Sequence, residues 1–294
     1  MPLRLLNLIS PIYSQRNINK LQIIMKAITL LIAVLLSLNL SSQVVTSGPV
    51  SIQFVNLPAK IKEIKRCSLS IEKSDTNYQS LNLIGSGFLV KEMNSFYAVT
   101  NNHVVKSIGK DKILLVGFNA DKKKQYASVV KTITDEKYDI AVLKLGDFVA
   151  IKNSSIDTTL ANPGIVSLSL FETSDKIIEG DGVIIIGYPL GLGSEFTGNK
   201  PISRIGIIAQ EPNSKTNTFL LDCIASHGNS GSPVFNEQTQ KLVGMITSFK
   251  PDFINLYDDN GILKASFPDN SGIAICVTAE MIKKLILKIQ RVNQ

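Results

Sequence analysis

An all-β fold of antiparallel barrel or sandwich type is what this 294-residue sequence predicts, on three observations. From about residue 50 onward, short runs rich in Val, Ile, Leu, Phe and Thr recur, each broken by Gly, Asn, Asp or Pro. The spacing between them leaves no room for the helical crossovers of a parallel sheet. With 44% hydrophobic and only 19% charged residues, the chain is neither disordered nor collagen-like and has the material for a packed core.

Taken in order, the strand-like runs are Gly87 to Val90, Phe96 to Thr100, Ile113 to Phe118 and Ile140 to Leu145, then Val183 to Ile186, Arg204 to Ala209, Phe219 to Cys223, Leu242 to Thr247 and Ile273 to Val277. Between the two groups lies a polar stretch, about Lys152 to Asp175, that reads as a linker and divides the chain into similar halves. Only the last stretch has helical periodicity. Thr278 is its expected N-cap, and Met281, Ile282, Leu285, Ile286 and Ile289 share one face. No repeat of 20 to 50 residues is present, and the sequence stops after this helix, so no following peptide-binding module is expected.

The N-terminal stretch carries a targeting signal. An apolar run from Ala27 to Leu40 follows Lys26 and precedes Ser41, Ser42 and Gln43, the pattern of a secretory signal peptide. The run is shorter than the ~20 apolar residues that cross a bilayer, so removal, and no stable span thereafter, is expected in place of an uncleaved anchor. Met25 just before Lys26 is the expected true start, which makes residues 1–42 an extension plus signal peptide, and the protein is expected in the periplasm or outside the cell. Net charge is +7, but Arg4, Arg16, Lys20 and Lys26 fall in that stretch, which has no Asp or Glu; setting those four aside leaves +3. The remaining charge is spread over runs such as Lys122 to Lys124, without a nucleic-acid-binding motif, so nucleic acid is not an expected partner. Three cysteines, Cys67, Cys223 and Cys276, allow at most one internal bridge, and burial as small apolar groups is the simpler expectation.

Three motifs carry candidate chemistry. His103, one of two histidines, sits in VTNNHVV at the end of an apolar run, a position suited to a general base facing a cleft and equally to a structural histidine. Asp139 opens the apolar run in YDIAVLKL; such a carboxylate either caps a turn or needs a partner, and an imidazole N–H is a suitable one. Ser230, in HGNSGSPVF, is flanked by Gly228 and Gly231, which permit the tight bend that exposes a hydroxyl and gathers N–H groups at one point; an ordinary Gly-Asn-Ser turn has the same composition. Their chain order, His then Asp then Ser, is that of the chymotrypsin type and differs from the subtilisin and α/β-hydrolase orders.

With GSGFLV at 85 to 90, VTNNHVV at 99 to 105, YDIAVLKL at 138 to 145, IIGYPLGLG at 185 to 193, LLDCIASHGNSGSPVFN at 220 to 236, KLVGMI at 241 to 246 and GIAICVT at 272 to 278, the chain resembles the trypsin-like serine peptidases, and most closely their bacterial HtrA and V8-like branch. The resemblance covers about residues 50 to 290. It implies a chymotrypsin-like fold of two six-stranded antiparallel Greek-key barrels and a C-terminal α-helix. The protease domain would span 43–290, with barrel one at about 50–160, barrel two at about 165–278 and the helix at about 279–290.

It further implies a serine endopeptidase acting on protein or peptide substrates, without a cofactor or metal. His103, Asp139 and Ser230 would form the triad, and the amides of Gly228 and Ser230 the oxyanion hole. The specificity pocket maps onto Ile224, Ala225, Ile246 and Thr247, and the absence of a charged side chain there implies a small or medium apolar residue on the acyl side of the cut bond. Asn229 stands where digestive members carry an Asp, so activation through an ion pair with a freed N-terminus is not expected. The same fold would put Cys223 and Cys276 on neighbouring strands, where a disulfide is conceivable, and it reads His227 as lining the cleft or exposed. A catalytically silent peptide-binding protein on this fold is the alternative.

Overall fold

The computed structural model describes residues 57–292 except 79, 93–94, 110, 120–123, 149–163 and 192–199. The leader with Met25, Lys122 and Lys123, and most of the proposed linker lie outside the described residues.

A nine-residue helix α1 (Leu57–Lys65) leads into six strands: β1 (Ser68–Ser74), β2 (Leu81–Glu92), β3 (Ser95–Thr100), β4 (Ile113–Asn119), β5 (Lys124–Asp135) and β6 (Ile140–Phe148). All pairings are antiparallel, in the order β1-β2-β3-β6-β5-β4, and β1 closes the barrel against β4. A short helix α2 (Asn102–Lys106) follows β3. The second six are β7 (Gly182–Gly187), β8 (Ile202–Asn213), β9 (Thr218–Asp222), β10 (Pro233–Asn236), β11 (Leu242–Tyr257) and β12 (Leu263–Thr278). They form a second closed antiparallel barrel, β10-β11-β12-β9-β8-β7, and helix α3 (Ala279–Val292) ends the described chain.

Strands such as β7 read as continuous apolar runs because both of their faces are buried. In β7, Val183 and Ile185 point into the second barrel with Phe219, Leu221 and Val243. Their neighbours Ile184 and Ile186 point the other way, into a shared core with Phe88, Val99 and Val142 of the first barrel. The first barrel fills its own interior with Leu69, Ile71, Leu89, Ala98 and Leu143. The shared layer also takes Ile282, Leu285, Ile286 and Ile289, one face of α3, so the helix fastens the two barrels together. Each fully buried Leu or Ile contributes roughly 1.5–3 kcal/mol relative to exposure, which makes the three apolar layers the main hold on the cleft geometry.

Two sequence expectations are corrected. Thr278 does not cap α3: it is the last residue of β12, its amide donates to Asn217 O at 3.0 Å and its buried hydroxyl has no hydrogen-bond partner among the described residues. Thr278 thus occupies the extended position directly before the helix, but its hydroxyl reaches no amide of the first turn. The Cys223–Cys276 bridge is likewise not formed; all three thiols are free and buried. Cys276 pairs with Phe219, well down β9 from Cys223, whose amide reaches Gly272 instead. That register keeps the two Cα atoms beyond the roughly 4.4–6.8 Å a disulfide spans.

Candidate active site

His103 lies in the first turn of α2, directly after β3, and its ring is about half exposed. Asp139 lies in the turn before β6 with φ +54, the left-handed region that Asp tolerates better than most residues. The two segments are laced together by backbone. Asp139 O accepts from Asn102 N at 3.2 Å and from Asn101 Nδ2 at 2.9 Å, while Oδ1 accepts from His103 N at 2.9 Å. This leaves Oδ2 to meet His103 Nδ1 at 2.7 Å. On the other side of the ring, Nε2 lies 3.0 Å from Ser230 Oγ. Tautomer and direction follow from the chemistry: an ionised carboxylate only accepts, so Nδ1 carries the proton, and Nε2 is left to accept from the Ser230 hydroxyl.

Ser230 is presented by a bend whose amides are sorted. Asn229 N donates to Ser226 O, Gly231 N to Ile246 O and Ser232 N to Asn229 O. The amides of Gly228 and Ser230 have no partner among the described residues. Gly228 adopts φ +90, and a Cβ there would sit 2.3 Å from Tyr188 O. The carbonyl of His227 accepts from Leu190 N at 2.6 Å; across the planar trans peptide, the Gly228 N–H therefore faces away from Leu190. Gly231, at φ +88, packs its α-carbon where a Cβ would fall 1.9 Å from Ser86 O. The buried Asn229 side chain turns inward and accepts from Ser226 N at 3.1 Å, tying the bend to itself.

Beside this constellation a cavity of about 390 Å³ is lined by the three residues just described and by Ala225, Ser226, His227 and Ile246 to Phe249. Of the four residues expected to form a specificity pocket, Ala225, Ile246 and Thr247 line this cavity. Ile224 does not line the cavity: it is 59% exposed and its carbonyl accepts from Arg204. Side chains alternate along this extended segment, so Cys223 and Ala225 turn inward and Ile224 outward. Sequence reasoning missed Ser226 as a lining residue; its place between Ala225 and His227 was the available signal. His227 is exposed at the cavity, its ring edge-on to Phe249 with centroids 5.9 Å apart.

A family model described as the trypsin-like peptidase domain matches residues 85–245, a span that contains His103, Asp139 and Ser230. The chain belongs to the trypsin-like peptidases. Its curated relatives lie in the HtrA branch. A probable periplasmic serine endoprotease DegP-like of Rickettsia prowazekii is 30% identical over 200 residues, 67% of this chain and 32% of that protein. A counterpart in Buchnera aphidicola subsp. Schizaphis graminum is 27% identical over 221 residues, 75% of this chain and 38% of its own length. The periplasmic serine endoprotease DegP of Escherichia coli is 26% identical over 216 residues, 74% of this chain and 38% of its own. The chain thus spans about a third of the length of these relatives. Among solved structures, an HtrA-type protease AlgW with tripeptide superposes with a TM-score of 0.53 at 19% identity, covering 81% of this chain and 64% of that one, which shows the shared fold. Among the described residues no helix is long and apolar enough to cross a membrane, and no cluster of side chains is suited to a metal ion.

Proposed function

We propose that this chain is an exported serine endopeptidase that cuts proteins or peptides through an acyl-enzyme. The observation that carries the reading is the unbroken hydrogen-bonded line from Asp139 Oδ2 through the His103 ring to Ser230 Oγ, at 2.7 and 3.0 Å. In this reading Ser230 Oγ attacks the scissile carbonyl while His103 Nε2 takes its proton. Asp139 holds the tautomer and stabilises the imidazolium. The carbonyl oxygen, negative in the tetrahedral intermediate, is received by the two amides left open, those of Gly228 and Ser230. His103 then returns the proton to the leaving amine, and a water enters by the reverse sequence to release the acyl group.

Ala225, Ile246 and Phe249 give the cavity its apolar lining, with hydroxyls of Ser226, Thr247 and Ser248, and its one carboxylate, Asp139, is engaged by His103. A small or medium apolar side chain on the acyl side of the cut bond fits it. The protease domain is taken to span 43–290 after removal of the leader. Export is supported by the Ala27 to Leu40 run and by the periplasmic naming of the relatives.

A fluorophosphonate probe tests the reading. Stoichiometric labelling at Ser230, abolished in Ser230→Ala and reduced at least on the order of 10³-fold in His103→Ala, is the expected result. Folded protein that takes up no probe, or takes it up elsewhere, overturns it.

A further inference from the structure

β11 and β12 each run for 16 residues, whereas the strands they meet in the barrel are far shorter: β10 has four residues and β9 five. β10 accompanies β11 only as far as Met245, after which Ile246 still exchanges hydrogen bonds with Gly231 and Ser232. β9 leaves β12 at Ile273. Beyond those points the two strands continue as a ribbon paired only with each other, from Pro251 opposite Asn270 out to Tyr257 opposite Leu263. From Thr247 to Tyr257 the outer edge of β11 meets no other strand among the described residues.

The ribbon is a built element. At its tip the Asp258 carboxylate accepts from Asn260 N at 3.0 Å and Ile262 N at 2.8 Å and pairs with Lys264 at 3.1 Å. At its base Asn270 Nδ2 donates to Ala225 O, a residue of the cavity, and Ser271 Oγ donates to Lys250 O at 2.5 Å. Both faces are apolar and open to solvent. Phe253 and Tyr257 lie on one face, Ile254, Leu256 and Phe267 on the other, all more than half exposed. A two-stranded ribbon gains little stability alone, and apolar side chains on both sides of it mark a surface that something covers.

Continuity with the cavity identifies what covers it. Ile246 to Phe249 line the cavity and run into the ribbon as one strand. A substrate strand lying beside β11 with its cut bond at Ser230 cannot extend its acyl side toward Leu242, because both edges of β11 are occupied there. It runs instead antiparallel to β11, past Phe249 and toward the tip. Resting on the function proposed above, we infer that the free edge of β11 from Pro251 to Tyr257, beyond the residues that line the cavity, is an exosite for the acyl-side segment of an unfolded polypeptide. That segment adds as an antiparallel strand, with apolar side chains at alternate positions meeting Phe253, Ile254 and their neighbours. Seven edge residues at roughly 3.3 Å each offer about 23 Å of template beyond the cavity. Pro251 fits an edge of this kind, since proline in sheets is confined to edges and bulges.

The test is binding to Ser230→Ala protein, read by fluorescence anisotropy with three synthetic peptides. One has three apolar residues before the scissile bond, one is extended by eight further residues on the acyl side with alternating Val or Leu, and one carries the same extension on the leaving side. The acyl-side extension is expected to lower Kd at least about tenfold, the worth of one well-covered apolar side chain, and the leaving-side extension to change it little. Replacing Pro251 to Asp269 by an Asn-Gly turn, or introducing Ile254→Ser with Phe267→Ser in the intact ribbon, removes that gain while short-peptide affinity and, in Ser230-bearing protein, the probe-labelling rate stay within about twofold. Equal gains from both extensions, a gain that survives the ribbon changes, or ribbon changes that only dissolve a dimer of this chain overturn the proposal. An unreactive Ser230 overturns the protease reading separately, since these affinities do not depend on turnover.

Discussion

Ser86 Oγ of β2 lies 2.6 Å from the carbonyl oxygen of Gly228, joining the first barrel to the bend of the second that carries Ser230. The same hydroxyl accepts from Tyr188 N at 2.9 Å, and Ser86 N donates to Ser230 O at 2.8 Å. Thr100 Oγ1 in turn donates to Ser86 O at 2.7 Å, just ahead of the helix bearing His103. One buried residue thereby indexes the His103 segment, Ser230 and the Gly228 amide against each other, and a sub-ångström drift between the barrels is felt at all three.

Ser86→Ala leaves Gly228 O and Tyr188 N unpaired in a buried site, a cost of about 1–3 kcal/mol in stability. The bend is then free to turn its Gly228 amide. We expect kcat on a peptide substrate to fall about tenfold with KM within about twofold, because an interaction made only with the developing oxyanion is weakened. Steady-state kinetics beside a thermal melt check this: a lowered Tm with unchanged kcat would reduce Ser86 to a purely structural role.

Gly228→Ala separates clash from conformational cost. The new Cβ meets Tyr188 O at 2.3 Å in a φ +90 conformation, so the bend must rebuild. Probe labelling at Ser230 is expected to slow on the order of 10²-fold or more, the usual consequence of losing one oxyanion donor. Gly109→Ala is the control: its φ is +84 but nothing lies within 4 Å of the added carbon. That variant is expected to lose about 1 kcal/mol of stability and no labelling rate. Equal slowing in both would show that the Gly228 environment has no particular part in reactivity.

What could be read from the sequence was what is decided locally. Glycines beside Ser230 and an Asp before an apolar run fix their geometry within a few residues, and chain order arranged the rest. Ser86 was invisible because its partners stand 102 and 142 residues away. Ile224 was misplaced for want of one residue of register, the shift that exchanges inside for outside. The outer halves of β11 and β12 escaped because DFINLY, exposed on both faces, lacks the alternation that one buried face imposes, the alternating LKASF is only five residues long, and Pro251 and Pro268 read as breaks.

The three thiols offer a second check on the core. Burial pushes Cys67 up to about 12 and raises Cys223 and Cys276 as well, and the Cys67 thiol also donates to Ile64 O at 3.0 Å. Thiolate is the reactive form, so native protein at pH 8 is expected to react with a disulfide reagent at least about 100-fold more slowly than a model thiol. Full titration of three equivalents should appear only in guanidinium, without prior reduction. A bridge in mass spectra of unreduced protein would contradict the register of β9 and β12.

Glu280 gives a pH dependence with a clear sign. Its carboxylate pairs with Lys284 Nζ at 2.7 Å one turn along α3, and its other oxygen accepts from Ser174 N at 3.2 Å, tying the helix start to the segment before β7. These hydrogen bonds pull its pKa from 4.5 down to about 2. Between those values the unfolded chain binds a proton that the folded chain does not, so stability rises with pH across the window. The contribution is fully present above about 4.5 and disappears as pH falls through about 2. Solvent reaches both partners, so screening holds it to about 1 kcal/mol or less, well under what the shift alone implies. Urea melts should show Glu280→Gln less stable than the parent by that amount at pH 7, the gap narrowing steadily below pH 4.5. A gap that persists at pH 2 would mean that side-chain packing, and not the carboxylate charge, holds the start of α3.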